Sequence, residues 1–114
     1  MWRDEAYLLD ILIAARKALR YTEGFSWESF REDGRTQDAV MRNLQIIGEA
    51  ARRISEEFRG EHSEIPWGEI LGMRNRLVHE YGRVNVEKVW ETVVDDVPAL
   101  IRQIEPLVPP EEPD

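Results

Sequence analysis

Cysteine is absent from the 114 residues of this sequence. Its absence excludes disulfides, thiolate catalysis and cysteine-based zinc sites, and it is consistent with a reducing cytoplasm. Long apolar runs are also missing, because Asp10 interrupts the one extended stretch at residues 7–15. No signal peptide is recognisable at the N-terminus, which lacks a basic flank and a small-residue cleavage site. We therefore expect a cytoplasmic protein with no membrane-spanning segment.

The common catalytic and phosphate-binding motifs are missing as well. No glycine-rich phosphate loop, serine elbow or HExxH pattern occurs, and the two histidines do not form a metal cluster without cysteine. One of them, His62, lies in an acidic loop and is expected to be exposed. The sequence therefore predicts no metal site and no cofactor.

Helical periodicity dominates the chain. Apolar residues recur at steps of three and four, and no segment alternates as a strand does. The length allows one domain with one core, so we predict an all-α, antiparallel bundle of four main helices. These helices are expected over residues 3–22, 36–58, 66–81 and 85–107. The domain should span residues 1–108, and an acidic disordered tail should follow at 109–114.

Several residues suggest where the helices begin and bend. Thr36 and Asn85 are suited to cap the second and fourth helices. An additional short helical turn is expected after Ser26, although the sequence three residues later has serine where a capping box favours Glu or Gln. Pro98 lies inside the fourth helix, so we predict a kink at residues 95–97 rather than two helices.

Charge is distributed unevenly along the chain. The net charge is −8, which disfavours binding to a polyanion such as RNA. Residues 71–83, however, contain Arg74, Arg76 and Arg83 against Glu80 alone. Their net charge is +2, so the remaining residues sum to −10, and the positive charge is concentrated in this segment.

The third predicted helix has one apolar face, and Arg74 falls in the middle of it. The apolar members of this face are Trp67, Ile70, Leu71, Leu77, Val78 and Tyr81. Burying an unpaired guanidinium is costly, so Arg74 must meet a partner carboxylate, a subunit interface or a solvated cleft. Composition alone favours an ion pair with a neighbouring helix, and Arg76 and Arg83 are expected to be solvated.

His79 lies about 140° around the helix from Arg74, so a regular helix directs the two side chains apart. Gly82 allows the helix to end near Tyr81, which would free His79 to move, and a two-fold dimer could also bring two motifs together. The simpler explanation of His79 is a cation at the negative end of the helix dipole. Both explanations remain open on the residues alone.

Three segments resemble the HepT-like HEPN family: "AVMRNLQIIGEAARRISEEFR", "IPWGEILGMRNRLVHEYG" and "VWETVVDDVPALIRQIEPL". The resemblance covers about residues 3–108. The family pattern is an arginine, four residues, a histidine, one residue and a tyrosine. It matches this chain at Arg74, His79 and Tyr81.

This resemblance implies a homodimeric, metal-independent endoribonuclease. It also implies that the protein is the toxin of a type VII-like toxin–antitoxin pair, whose nucleotidyltransferase antitoxin attaches AMP to Tyr81. His79 would act as base or acid while the 2′-OH attacks phosphorus, and Arg74 would bind the phosphoryl oxygens. The expected product carries a 2′,3′-cyclic phosphate. Arg76 and Arg83 are candidate contacts to the RNA substrate.

Two other functions fit the same residues. The chain could be a non-catalytic, dimeric binding partner of a nucleotidyltransferase, with Arg74 and His79 forming the docking surface. It could also be a purely structural dimer. An RNA cleavage assay with a His79→Ala control separates the enzyme from both.

Overall fold

The computed structural model describes residues 2–110, and every regular element in that range is helical. The longer helices are α1 (Trp2–Tyr21), α3 (Gly34–Arg53) and α5 (Trp67–His79), and the shorter ones are α2 (Trp27–Arg31), α4 (Glu56–Glu61), α6 (Val86–Glu91) and α7 (Val97–Ile104). Two 3-10 turns cover Tyr81–Arg83 and Glu105–Leu107, and a π-helical turn, Thr92–Asp96, joins α6 to α7. The predicted all-α class is confirmed. The predicted tail lies outside the described residues from position 111 onward.

Helix α3 is the central element of the bundle. Helix α1 packs along α3 and α7, and α5 packs on α3. The largest fully buried side chains are Phe30, Leu8, Ile11, Ile54, Ile65, Ile104, Val40, Val89 and Val93. No helix within residues 2–110 is both long enough and apolar enough to cross a membrane.

The second predicted helix is two helices, so the prediction of one helix over residues 36–58 was wrong. Helix α3 ends at Arg53, and Ser55 caps α4 by accepting a hydrogen bond from the Phe58 N–H at 3.1 Å. Asp4, which is only 4% exposed, accepts bonds from the Ser55 N–H at 2.9 Å and from its hydroxyl at 2.8 Å. Because these bonds satisfy Ser55 outside a helix, the chain turns although the apolar spacing continues.

Of two predictions about helix caps, the one at Thr36 was wrong and the one at Ser26 is confirmed. Asp33, not Thr36, is the N-cap of α3, and its side chain accepts a bond from the Thr36 N–H at 3.0 Å. The short helix α2 does form, and its capping box is closed by serine rather than by Glu or Gln. The Ser29 hydroxyl accepts from the Ser26 N–H at 2.9 Å, and Ser26 accepts in return from the Ser29 N–H at 3.2 Å. A hydroxyl therefore reaches as far as this cap requires.

The last helical segment begins where the sequence predicted. Asn85 caps α6 by accepting a hydrogen bond from the Lys88 N–H at 3.2 Å. Ahead of Pro98 the helix widens into the π-helical turn, in which the Val97 N–H bonds to the Thr92 carbonyl five residues earlier. The irregularity overlaps the position of the predicted kink. A proline cannot donate to the ladder, and the wider turn carries the chain past it without breaking the segment.

Candidate functional site

Arg74 lies in the middle of α5, on the side that packs against α3, as the apolar pattern predicted. Its side chain is half-buried. The Nη1 atom donates to Asn75 Oδ1 at 3.0 Å, whereas the buried Nε atom has no hydrogen-bond partner among the described side chains. No carboxylate within residues 2–110 forms an ion pair with Arg74. The ion pair that composition favoured is therefore not found in the described part of the chain, and the guanidinium is not neutralised there.

His79 is the last residue of α5, and its side chain is exposed. The α-helix ends directly after it, where the Glu80 N–H bonds to the Arg76 carbonyl at 2.8 Å. Because α5 is helical from Arg74 through His79, the two side chains leave the axis about 140° apart. One chain therefore does not bring these two predicted catalytic residues to the same side of the helix.

Tyr81 follows α5 closely and begins the 3-10 turn. Its side chain lies outside the described part of the structure, so the predicted modification site is located by its backbone alone. The residue stands two positions beyond His79, at the end of the helix that carries both predicted catalytic residues.

Arg76 and Arg83 are both exposed and line one cavity of about 310 Å³ between α5 and α6. The cavity is lined by Met73, Arg76, Glu80, Arg83, Val84, Asn85, Lys88 and Val89. Three cations thus face a single carboxylate, and none of the three forms an ion pair within residues 2–110. Lys88 was not predicted from the sequence, because only the folded structure brings α6 to the cavity that Arg76 lines.

A larger cavity of about 460 Å³ adjoins the first and shares Met73, Arg76 and Lys88 with it. Its apolar lining comes from Leu44, Ile47, Pro66, Ile70, Met73, Val97 and Leu100. Glu69 and Asp96 also line it, so its two cations are balanced by two carboxylates. The smaller cavity, with a formal charge of +2, is the better match for an anion.

The cations of α5 lie on two sides of the helix. Arg74 faces α3, and Arg76 leaves the helix about 160° away from it, toward the smaller cavity. Arg74 can bind one phosphate closely because its stem is held in the protein. The exposed cations of the smaller cavity can attract a polyanion without fixing its position.

Comparisons with known proteins identify the family of the chain. A family model described as "Ribonuclease HepT-like" matches residues 11–107. A protein named "Probable ribonuclease HepT" from Thermococcus cleftensis is 43% identical over 101 residues, covering 89% of this chain and 92% of that protein. "Putative RNase TTE0752" from Caldanaerobacter subterraneus subsp. tengcongensis is 40% identical over 106 residues, covering 93% of this chain and 95% of that protein. No solved structure matches the chain.

These matches define the class as a helical ribonuclease family. The family model covers most of the chain, and both relatives are matched over nearly their whole length. The chain belongs to the HepT-like ribonuclease family, which confirms the resemblance inferred from the sequence.

Proposed function

We propose that this chain is an endoribonuclease that cleaves RNA without a metal ion, and that Arg74 binds the phosphate at the cleaved bond. The observation that supports this is the half-buried guanidinium of Arg74, which has no carboxylate partner within residues 2–110. Such a group can accept an external anion, and its planar fork matches two phosphoryl oxygens. Membership of a ribonuclease family supplies the reaction class.

In the proposed reaction, His79 acts as a base or an acid at the 2′-OH and the leaving oxygen. The base removes the 2′-OH proton, the 2′ oxygen attacks phosphorus, and the bond to the 5′ oxygen breaks. An acid returns a proton to the leaving 5′ oxygen, so the products are a 2′,3′-cyclic phosphate and a 5′-OH. Arg74 stabilises the extra negative charge that the phosphorus centre carries in the transition state.

The cleavage assay requires matched controls. Arg74→Ala and His79→Ala should each reduce cleavage of a labelled single-stranded RNA at least about a hundredfold. Arg20→Ala and His62→Ala remove the same side chains elsewhere and should leave the rate unchanged. Activity that survives either motif substitution, or that disappears with a chelator, would contradict the mechanism. An inactive parent protein that co-purifies with a nucleotidyltransferase would instead favour the non-catalytic binding partner.

A homodimer is part of the proposal, because Arg74 and His79 diverge within one chain. Val78 is 38% exposed and lies about 40° around α5 from Arg74, next to the half-buried Leu71. This apolar margin is suited to a second copy of the chain. In a two-fold dimer, Arg74 of one protomer can face His79 of the other, and the reverse holds at a second equivalent site.

Subunit complementation tests whether the sites are shared. Arg74→Ala and His79→Ala proteins, denatured together in equal amounts and refolded, should form mixed dimers with one complete site. Random pairing then restores about a quarter of the parent activity. Sites contained within one chain would give no recovery. Val78→Asp should separate the protomers and abolish cleavage, whereas Val94→Asp, at a residue 47% exposed on the π-helical turn, should do neither.

Regulation by a nucleotidyltransferase antitoxin completes the proposed toxin–antitoxin function. Tyr81 is the target because it matches the family pattern and follows the end of α5, where a partner enzyme has access. An attached AMP would bring a phosphodiester close to Arg74 and Arg76 and would occupy space needed by RNA. Intact-mass measurement after co-expression with a nucleotidyltransferase should show added AMP. Equal modification of Tyr81→Phe would refute this assignment.

A further inference from the structure

Gly48 lies in the interior of α3 and is buried, a place where helix formation disfavours glycine. A Cβ atom built at Gly48 would lie 2.2 Å from the Cβ and 2.7 Å from the Cγ of Arg74, and 3.3 Å from the Ile70 carbonyl oxygen. The other six glycines have no such neighbour within 4 Å. Gly48 therefore marks a close approach of α5 to α3, and the side chain that makes this approach is Arg74.

We propose that Gly48 is a positioning residue for Arg74. The proposal rests on the proposed function, in which Arg74 binds the reacting phosphate. The α3 backbone at Gly48 supports the first two carbons of the Arg74 stem, which restricts the direction in which the guanidinium leaves α5. The buried Nε is consistent with this placement, because it leaves the terminal nitrogens as the part of the fork available to a ligand.

A methyl group at position 48 cannot be accommodated without movement of Arg74. Ordinary contact begins at 3.4 Å, so Arg74 Cβ must shift by about 1 Å or α5 must move away from α3. A displacement of about 1 Å at a catalytic group can reduce the rate about a hundredfold. The same crowding applies to every residue with a Cβ at position 74. Only Arg74→Gly removes both atoms, Cβ and Cγ, that lie nearest to an added Cβ at position 48.

The first experiment separates catalysis from binding. Gly48→Ala, the control Gly72→Ala and the parent are compared on a labelled single-stranded RNA for kcat and KM, with helix content measured by circular dichroism. Gly72 lies on α5, and an added Cβ there meets nothing within 4 Å. We expect Gly48→Ala to lower kcat about a hundredfold with KM changed less than about threefold. Gly72→Ala should keep the parent kcat.

The second experiment does not depend on activity. Gly48→Ala is measured by thermal unfolding in the parent and in the Arg74→Gly background. It should lower the unfolding midpoint by about 5 °C or more in the parent and by less than about 2 °C in the Arg74→Gly background. If Gly48→Ala alone does not fold, folding restored by Arg74→Gly supports the proposal, and no restoration contradicts it.

The outcomes distinguish this proposal from the proposed function. If Arg74→Ala is inactive but Gly48→Ala keeps the parent kcat, the positioning role is wrong and the ribonuclease mechanism stands. If Arg74→Ala cleaves RNA at the parent rate, the proposed mechanism is wrong, and the proposed role of Gly48 in positioning Arg74 for the reaction is wrong as well. Equal midpoint losses in both backgrounds would show that Gly48 does not act through Arg74, which also overturns the proposal.

Discussion

Replacing Arg74 with methionine is expected to stabilise the fold while abolishing RNA cleavage. The Nε atom is buried and has no hydrogen-bond partner in the part of the chain that the structure describes, and Nη1 donates to Asn75 at 3.0 Å. Methionine keeps an unbranched stem against α3 but carries no donor that needs a partner. A residue that stabilises the bundle would behave in the opposite way, so this substitution separates a functional arginine from a structural one.

The expected magnitude follows from the two groups that the substitution removes. A buried donor without a partner costs about 1–3 kcal/mol, and the bond to Asn75 contributes about 0.5–1.5 kcal/mol. The free energy of unfolding of Arg74→Met should therefore exceed that of the parent by about 1 kcal/mol. This corresponds to an increase of about 3–6 °C in Tm for a chain of this size. Cleavage should fall at least about a hundredfold, because the variant cannot stabilise the phosphoryl charge.

Urea unfolding followed by circular dichroism, together with cleavage of a labelled RNA, measures both effects. Arg76→Met is the control, since Arg76 is exposed on the same helix and its replacement should change stability by less than about 0.5 kcal/mol. A lower urea midpoint for Arg74→Met would show that Arg74 stabilises the fold. Retained cleavage would show that it does not serve the reaction.

Three further predictions, tested by four substitutions, concern other parts of the structure. Asp4→Ala should destabilise the fold by about 2–3 kcal/mol in urea unfolding, because it removes both acceptors of Ser55; a loss below 0.5 kcal/mol, at the level of ordinary surface substitutions, would contradict these bonds. Asp33→Ala should cost about 1 kcal/mol as a lost N-cap, and Thr36→Ala should cost less; the reverse order would contradict the observed cap. Lys88→Glu should weaken RNA binding. It should also make the slope of log K against log salt concentration shallower by about 0.7 for each lost phosphate contact. An unchanged salt dependence would place the RNA elsewhere.

Two features of the helices were predictable because their signals are local. The apolar spacing of α1 and the cap at Asn85 depend on residues close in sequence, and the structure reproduces both. The turn at Ser55 could not be predicted in this way, because its partner Asp4 is 51 residues away. Periodicity continues through that turn, and only the tertiary contact reveals that Ser55 is satisfied outside a helix.

In the candidate site, too, the local features were predicted and the features set by tertiary packing were not. The position of Arg74 within the apolar face follows from helix geometry and was predicted correctly. Whether a carboxylate reaches it depends on which residues of α3 face α5, and composition gave the wrong expectation there. Lys88 was missed for a similar reason, since only the tertiary fold places it on the same cavity as Arg76.

The spacing of Arg74 and His79 bears on the proposed homodimer. Residues three or four apart share a side of a helix, whereas five residues place side chains about 140° apart. A site built on one helix would therefore favour the shorter spacing. In a two-fold dimer the two residues need not share a side of one helix. Each site then combines Arg74 of one protomer with His79 of the other. The exposed Val78 beside Arg74 is consistent with that arrangement, because an interface between two copies of the chain buries apolar area next to the charged residues of the site.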